Sequence, residues 1–101
     1  MRLLVILSPT EKWGTKTEYV KLRKFLNRDG YIRIAPEVFM RIVQNRKASE
    51  KHYRRIEKYA PKTGNVRIIR LTEKQYNNIY MLTGEMDYQE KVVGKNSHIM
   101  I

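Results

Sequence analysis

The sequence predicts an α+β fold of the ferredoxin-like kind, a βαββαβ sandwich with an antiparallel sheet and two helices on one face. Three observations point there. Leu3-Leu4-Val5-Ile6-Leu7 is a consecutive aliphatic run stopped at Pro9, the mark of a strand buried on both faces and therefore central in its sheet. Thr17 to Arg28 and Ser49 to Ala60 repeat apolar residues at helical spacing. Around these helices lie runs of strand character, so the chain reads strand, helix, strand, strand, helix, strand, then a tail.

Each element has a local reason. Thr10 to Lys16, after the first strand, is a polar loop; its Trp13 reads as a lid on the sheet edge or a partner contact. In the first helix Tyr19, Leu22, Phe25 and Leu26 form the inward stripe, while Lys21, Lys24 and Arg28 share another face. Asp29-Gly30 ends it, because glycine takes the left-handed C-terminal cap conformation. Tyr31 to Val43 alternates as two short strands, broken at Ala35-Pro36 because proline cannot donate to a ladder. Asn45 to Ala48 reads as a connection. In the second helix Tyr53, Ile56 and Ala60 point inward, flanked by His52 and Tyr59, while Lys47, Lys51, Arg54 and Lys58 form a basic row. Pro61 to Asn65 is a turn cluster, and Val66 to Leu71 the next strand. Thr72-Glu73-Lys74-Gln75 is a capping-box pattern that starts a short helix through Asn78. Ile79 to Thr83 reads as a further strand, ended by Gly84.

Residues 1–84 are thus expected to form the domain and residues 85–101 a tail. The tail ends on Ile99, Met100 and Ile101, which predicts an extra C-terminal strand exchanged with the partner subunit of a homodimer. Ile68 and Ile69 point to opposite faces of their strand, so the sheet face away from the helices also needs cover. A second subunit stacked face to face supplies it.

Composition narrows the partners. The chain has 101 residues, no cysteine, and a net charge of +11 from 21 Lys+Arg against 10 Asp+Glu. Disulfides and thiolate metal sites are excluded. The longest aliphatic run is too short for a membrane span or a signal-peptide core, so a soluble, cytoplasmic protein is expected, with no membrane partner. Solubility alone needs far less charge of one sign. The excess points to nucleic acid, with double-stranded DNA held by phosphate contacts that carry charge rather than sequence information. Recognition of RNA by base stacking on the sheet is disfavoured, since Val66-Arg67-Ile68-Ile69-Arg70-Leu71 carries no aromatic residue. The residues expected at DNA are Lys12 and Lys16 in the loop, then Lys21, Lys24, Arg28, Lys51 and Arg54 on the helices. His52 and His98 have no ligand set beside them in sequence and read as structural.

The order and spacing of several segments carry a resemblance. They are Met1-Arg2-Leu3-Leu4-Val5, Lys21-Leu22-Arg23-Lys24-Phe25-Leu26, Asp29-Gly30-Tyr31-Ile32, Glu50-Lys51-His52 with Arg54-Arg55, Tyr59-Ala60-Pro61, Gly64-Asn65-Val66-Arg67, Leu71-Thr72-Glu73-Lys74-Gln75-Tyr76 and Gln89-Glu90-Lys91-Val92-Val93. Over nearly the whole chain these resemble the small CRISPR-associated adaptation protein family Cas-two, in its type II flavour. The resemblance implies a ferredoxin-like homodimer whose C-terminal strand crosses to the partner. Such a dimer is flanked by Cas-one integrase dimers in a complex that captures a DNA duplex and inserts it as a new spacer. It further implies, for some members, a Mg²⁺-dependent nuclease with an aspartate at the end of the first strand.

The matching position here is Ser8, and Pro9, Thr10 and Ala35-Pro36-Glu37 also depart from the family pattern. Mg²⁺ is held by carboxylates and water, to which a neutral hydroxyl adds little. The expectation is therefore a scaffold without a catalytic residue of its own and without a metal or other cofactor. The alternative is a metal-dependent endonuclease acting on DNA or RNA that has moved its ligand, with Glu11, three residues on, as the substitute.

Overall fold

The computed structural model describes residues 1–9 and 15–84, with the side chains of Thr15 and Lys16 left aside. Lys12, Glu11, Trp13, His98 and the tail residues Ile99, Met100 and Ile101, each given a role above, lie outside what is described; Lys16, expected in the loop, falls instead in the first turn of α1, which starts at Thr15 rather than Thr17.

The elements are β1 (Arg2–Ser8), α1 (Thr15–Arg28), β2 (Ile32–Ala35), β3 (Val38–Ile42), α2 (Arg46–Glu57), β4 (Asn65–Leu71) and α3 (Glu73–Asn77). The sheet has four strands in the order β2-β3-β1-β4, with every neighbouring pair antiparallel. This is the ferredoxin-like arrangement, and β1 is central as its unbroken aliphatic run requires. A register irregularity between Arg33 and Ala35 marks the bend at Pro36.

Register assigns the two faces. Leu3, Val5 and Leu7 of β1 join Phe39 and Val43 under α1 and α2. Tyr19, Leu22, Phe25 and Leu26 of α1 and Ile56 of α2 complete that core, all at most 8% exposed. Both helices thus lie on the same face. The Tyr19 hydroxyl donates to the carbonyls of Thr63 (3.0 Å) and Asn65 (3.4 Å), fixing α1 to the start of β4.

The opposite face carries a smaller cluster of Leu4, Met40 and Tyr76, with Ile32, Ile34, Val38 and Leu71 around it. Here α3 folds back over the sheet. Its start is the capping box read from the sequence: the Thr72 hydroxyl accepts from the Gln75 amide (3.1 Å), and the Gln75 side chain accepts from the Thr72 amide (2.9 Å). Arg2 is completely buried beneath α3. Its guanidinium lies 3.9 Å from the Tyr76 ring centroid and donates to both Glu73 carboxylate oxygens at 3.0–3.2 Å. Ion pairing and the ring together compensate the buried charge.

Two expectations need correction. α2 spans Arg46–Glu57, not Ser49 to Ala60, because Asn45 is its N-cap: the Asn45 side chain accepts from the Ala48 amide at 2.8 Å. Ala60 falls beyond the helix and is exposed, as a residue preceding proline disfavours helical backbone. The strand expected over Ile79 to Thr83 does not form in the single chain. Among the described residues none after α3 pairs with a strand of the sheet, and strand propensity without pairing makes no strand.

Candidate nucleic-acid interface

The helical layer presents the cations. Lys21, Lys24 and Arg28 of α1 and Lys51 and Arg54 of α2 are all exposed, on helices that cover the same sheet face. Among the described residues none of the five forms an ion pair with a carboxylate. The apolar stripes decide this placement: Tyr19, Leu22 and Phe25 must turn inward, and the intervening lysines are left outside. Lys47 and Lys51 with Asn45, Ala48 and Arg54 also line an open cavity of about 400 Å³ at the start of α2.

Other cations are committed to the fold. Arg23 donates to Glu37 through Nε (3.0 Å) and Nη2 (2.5 Å), tying α1 to the β2–β3 turn. Arg55 Nη2 lies 2.6 Å from Asp29 Oδ1, joining α2 to the end of α1. Arg41 donates to the Asp29 carbonyl oxygen from below. His52 Nδ1 lies 3.5 Å from Asp29 Oδ2 without forming a hydrogen bond. Burial first, and then the nearby Arg41 guanidinium, hold the His52 imidazole below its ordinary value of 6.5 against the opposing pull of Asp29, so it is neutral at pH 7. Tyr31 packs edge-on to His52, and burial pushes its phenol up to about 12. Sequence reading missed this cluster. Its one visible sign was the i, i+3 pair His52 and Arg55 on the helix side facing Asp29-Gly30.

Ser8 ends β1 on the face away from the helices, paired with Asn65. In the β2–β3 turn the Glu37 carbonyl accepts from the Leu7 amide (2.8 Å), while its side chain is held by Arg23. Among the described residues no three His, Cys, Asp or Glu side chains come together. No helix of the described residues is long and apolar enough to cross a membrane.

The fold and surface define a class: a small ferredoxin-like α+β domain whose helical layer is cationic and whose other sheet face is aliphatic. Comparison with known proteins narrows it. Residues 14–79 match the family model for CRISPR associated protein Cas2. The chain is 41% identical over 86 residues to a CRISPR-associated endoribonuclease Cas2 of Ligilactobacillus salivarius, covering 84% of this chain and 85% of that one. It is 36% identical over 94 residues to the protein of that name from Acidovorax ebreus, 92% of each chain. A third, from Streptococcus mutans, is 32% identical over 88 residues, 86% of this chain and 81% of that one. The chain belongs to the Cas2 family of CRISPR-associated proteins.

Proposed function

We propose that this Cas2-family chain is a non-catalytic homodimeric scaffold of the cytoplasmic spacer-acquisition complex. It binds double-stranded DNA through the phosphate backbone and bridges Cas-one integrase dimers. The observation that carries the reading is the unneutralised cationic row on α1 and α2, Lys21, Lys24, Arg28, Lys51 and Arg54, set against Ser8 where a metal-holding carboxylate would stand. Duplex affinity requires the first feature; hydrolysis by the family's metal chemistry is not served by the second. Lys12 and Lys16, before and within the first turn of α1, extend the DNA contact, and Ile99, Met100 and Ile101 meet the partner subunit. The homodimer is supported by the half-exposed Ile42 and Ile69 on the aliphatic sheet face, at 41% and 40%, and by Tyr80 and Leu82 beyond α3, at 83% and 81%. Co-purification with the cognate integrase, and integration assays with both proteins, test the proposal. A chain that integrates nothing and fails to retain the integrase contradicts it.

The second reading is a metal-dependent endonuclease, favoured by the word endoribonuclease in the relatives' names. It requires a carboxylate other than one at position 8, and Glu11 is its candidate. Mg²⁺-dependent cleavage of RNA or DNA, abolished in Glu11→Gln, is its expected result; cleavage that survives Glu11→Gln removes Glu11 from the role.

A further inference from the structure

α1 and α2 run antiparallel, and their seam can be followed along its length. Asp29 meets Arg55, Phe25 meets Tyr59, and Glu18 accepts from the Lys62 amide at 3.0 Å. At Tyr59 the seam reaches the surface. Its ring lies flat on Phe25, with centroids 4.3 Å apart and planes 16° from parallel. Phe25 is 8% exposed and Tyr59 38%, so one ring belongs to the core and the other caps it with its outer face toward solvent. A groove of about 180 Å³ begins there, lined by Glu18, Lys21, Lys58, Tyr59 and Ala60. Lys21 belongs to the basic row of α1 and Lys58 is the C-cap of α2, so a cation from each helix lines this groove. Glu18 is the one acid in the lining, and its carboxylate is already engaged by the Lys62 amide.

An aromatic ring that shares a groove with two lysines suits a flat, π-bearing guest with negative charge beside it. An unpaired nucleotide has that chemistry: the base offers a free face and its phosphates flank it. A paired base inside a duplex has both faces stacked already and cannot use the ring. We infer that this groove binds an unpaired nucleotide, its base laid on Tyr59 and its neighbouring phosphates on Lys21 and Lys58. The site rests on the nucleic-acid reading given above and adds a second mode to it. Charge over the helical layer holds the duplex, while stacking at the seam captures a single strand that leaves it.

Fluorescence anisotropy with the full chain tests this, using three probes: a blunt DNA duplex, the same duplex with a short thymidine extension, and thymidine or uridine oligomers alone. The extension is expected to tighten binding by about fivefold or more, the low end of what one stacked base supplies. Tyr59→Leu removes that gain and Tyr59→Phe keeps it, both binding the blunt duplex as the parent does. A 2-aminopurine in the extension is quenched by the parent and by Tyr59→Phe, not by Tyr59→Leu. Lys58→Gln weakens the extended probe and lowers its salt dependence. An extension without effect, a gain that survives Tyr59→Leu, or an equal loss for blunt and extended probes overturns the inference. Should the blunt duplex fail to bind, the duplex reading falls, yet the oligomers still decide the groove. Tyr59-dependent binding of thymidine or uridine oligomers upholds it; none overturns it.

Discussion

Asp29 is held from three directions, by Arg55 at its carboxylate, Arg41 at its carbonyl and His52 alongside. Its neighbours titrate in a defined sense. Folded His52 binds its proton less tightly than the unfolded chain does, so protonation favours unfolding. Its contribution to stability is complete above about pH 6.5 and is lost as pH falls toward the depressed folded value. Tyr31 works in reverse: its contribution is complete below pH 10 and is lost as pH rises toward about 12. Urea midpoints measured across pH check both. His52→Gln should flatten the acid limb and Tyr31→Phe the alkaline limb; an acid limb unchanged in His52→Gln contradicts the assignment. At this scale the sequence was partly legible. The stripe Tyr19, Leu22, Phe25 and Leu26 follows from helical period alone, and all four are buried. The buried Arg2 was not legible, because a charged residue flanking an aliphatic run reads as the exposed end of a strand. Only α3 returning over it brings Glu73 and Tyr76 into reach.

Elements are locked together at a few points, and two of these give measurable costs. Gly64 has φ +75°, and a Cβ there would collide with the Tyr19 hydroxyl and come within 2.7 Å of the Ser8 carbonyl oxygen. Gly64→Ala is therefore expected to destabilise by roughly 1–3 kcal/mol, read from denaturant unfolding; a variant as stable as the parent contradicts the tight contact of α1, β1 and the turn before β4. Glu73→Ala leaves the buried Arg2 guanidinium without its acid and should cost about 2–3 kcal/mol, whereas Glu73→Asp should retain part of the pairing. Element types were legible wherever a pattern was long: the strand pair about Pro36, both long helices and the capping box at Thr72 follow from residue chemistry. The start of α2 was not, because Asn45 suits a loop and an N-cap equally, and only its bond to Ala48 decides. The strand read over Ile79 to Thr83 shows the converse limit. Propensity sits in the residues, but pairing depends on what stands beside them.

For the whole molecule, charge and the open sheet face carry the expectations. If about 6–10 phosphates are neutralised, duplex affinity should fall by roughly 10³–10⁵ between 50 and 200 mM salt. Replacing Lys24 or Lys51 by Gln should weaken all duplexes alike and reduce the magnitude of the log–log salt slope by about 0.9 each; a flat salt dependence, or a loss confined to particular sequences, contradicts backbone binding. The cationic character was readable from composition, and helical phase placed the lysines outward, but phase alone does not bring Lys21 and Lys58 to one groove beside Tyr59. That requires the antiparallel packing of α1 on α2. The central claim is a twofold platform that holds a duplex without cutting it. Light scattering on the protein mixed with a duplex of about three helical turns, at low salt and with Mg²⁺ present, tests it most directly. The result expected is a complex of two 12.2 kDa chains with one intact duplex, steady over time. One chain per duplex, or a mass that falls as the duplex is degraded, would contradict it.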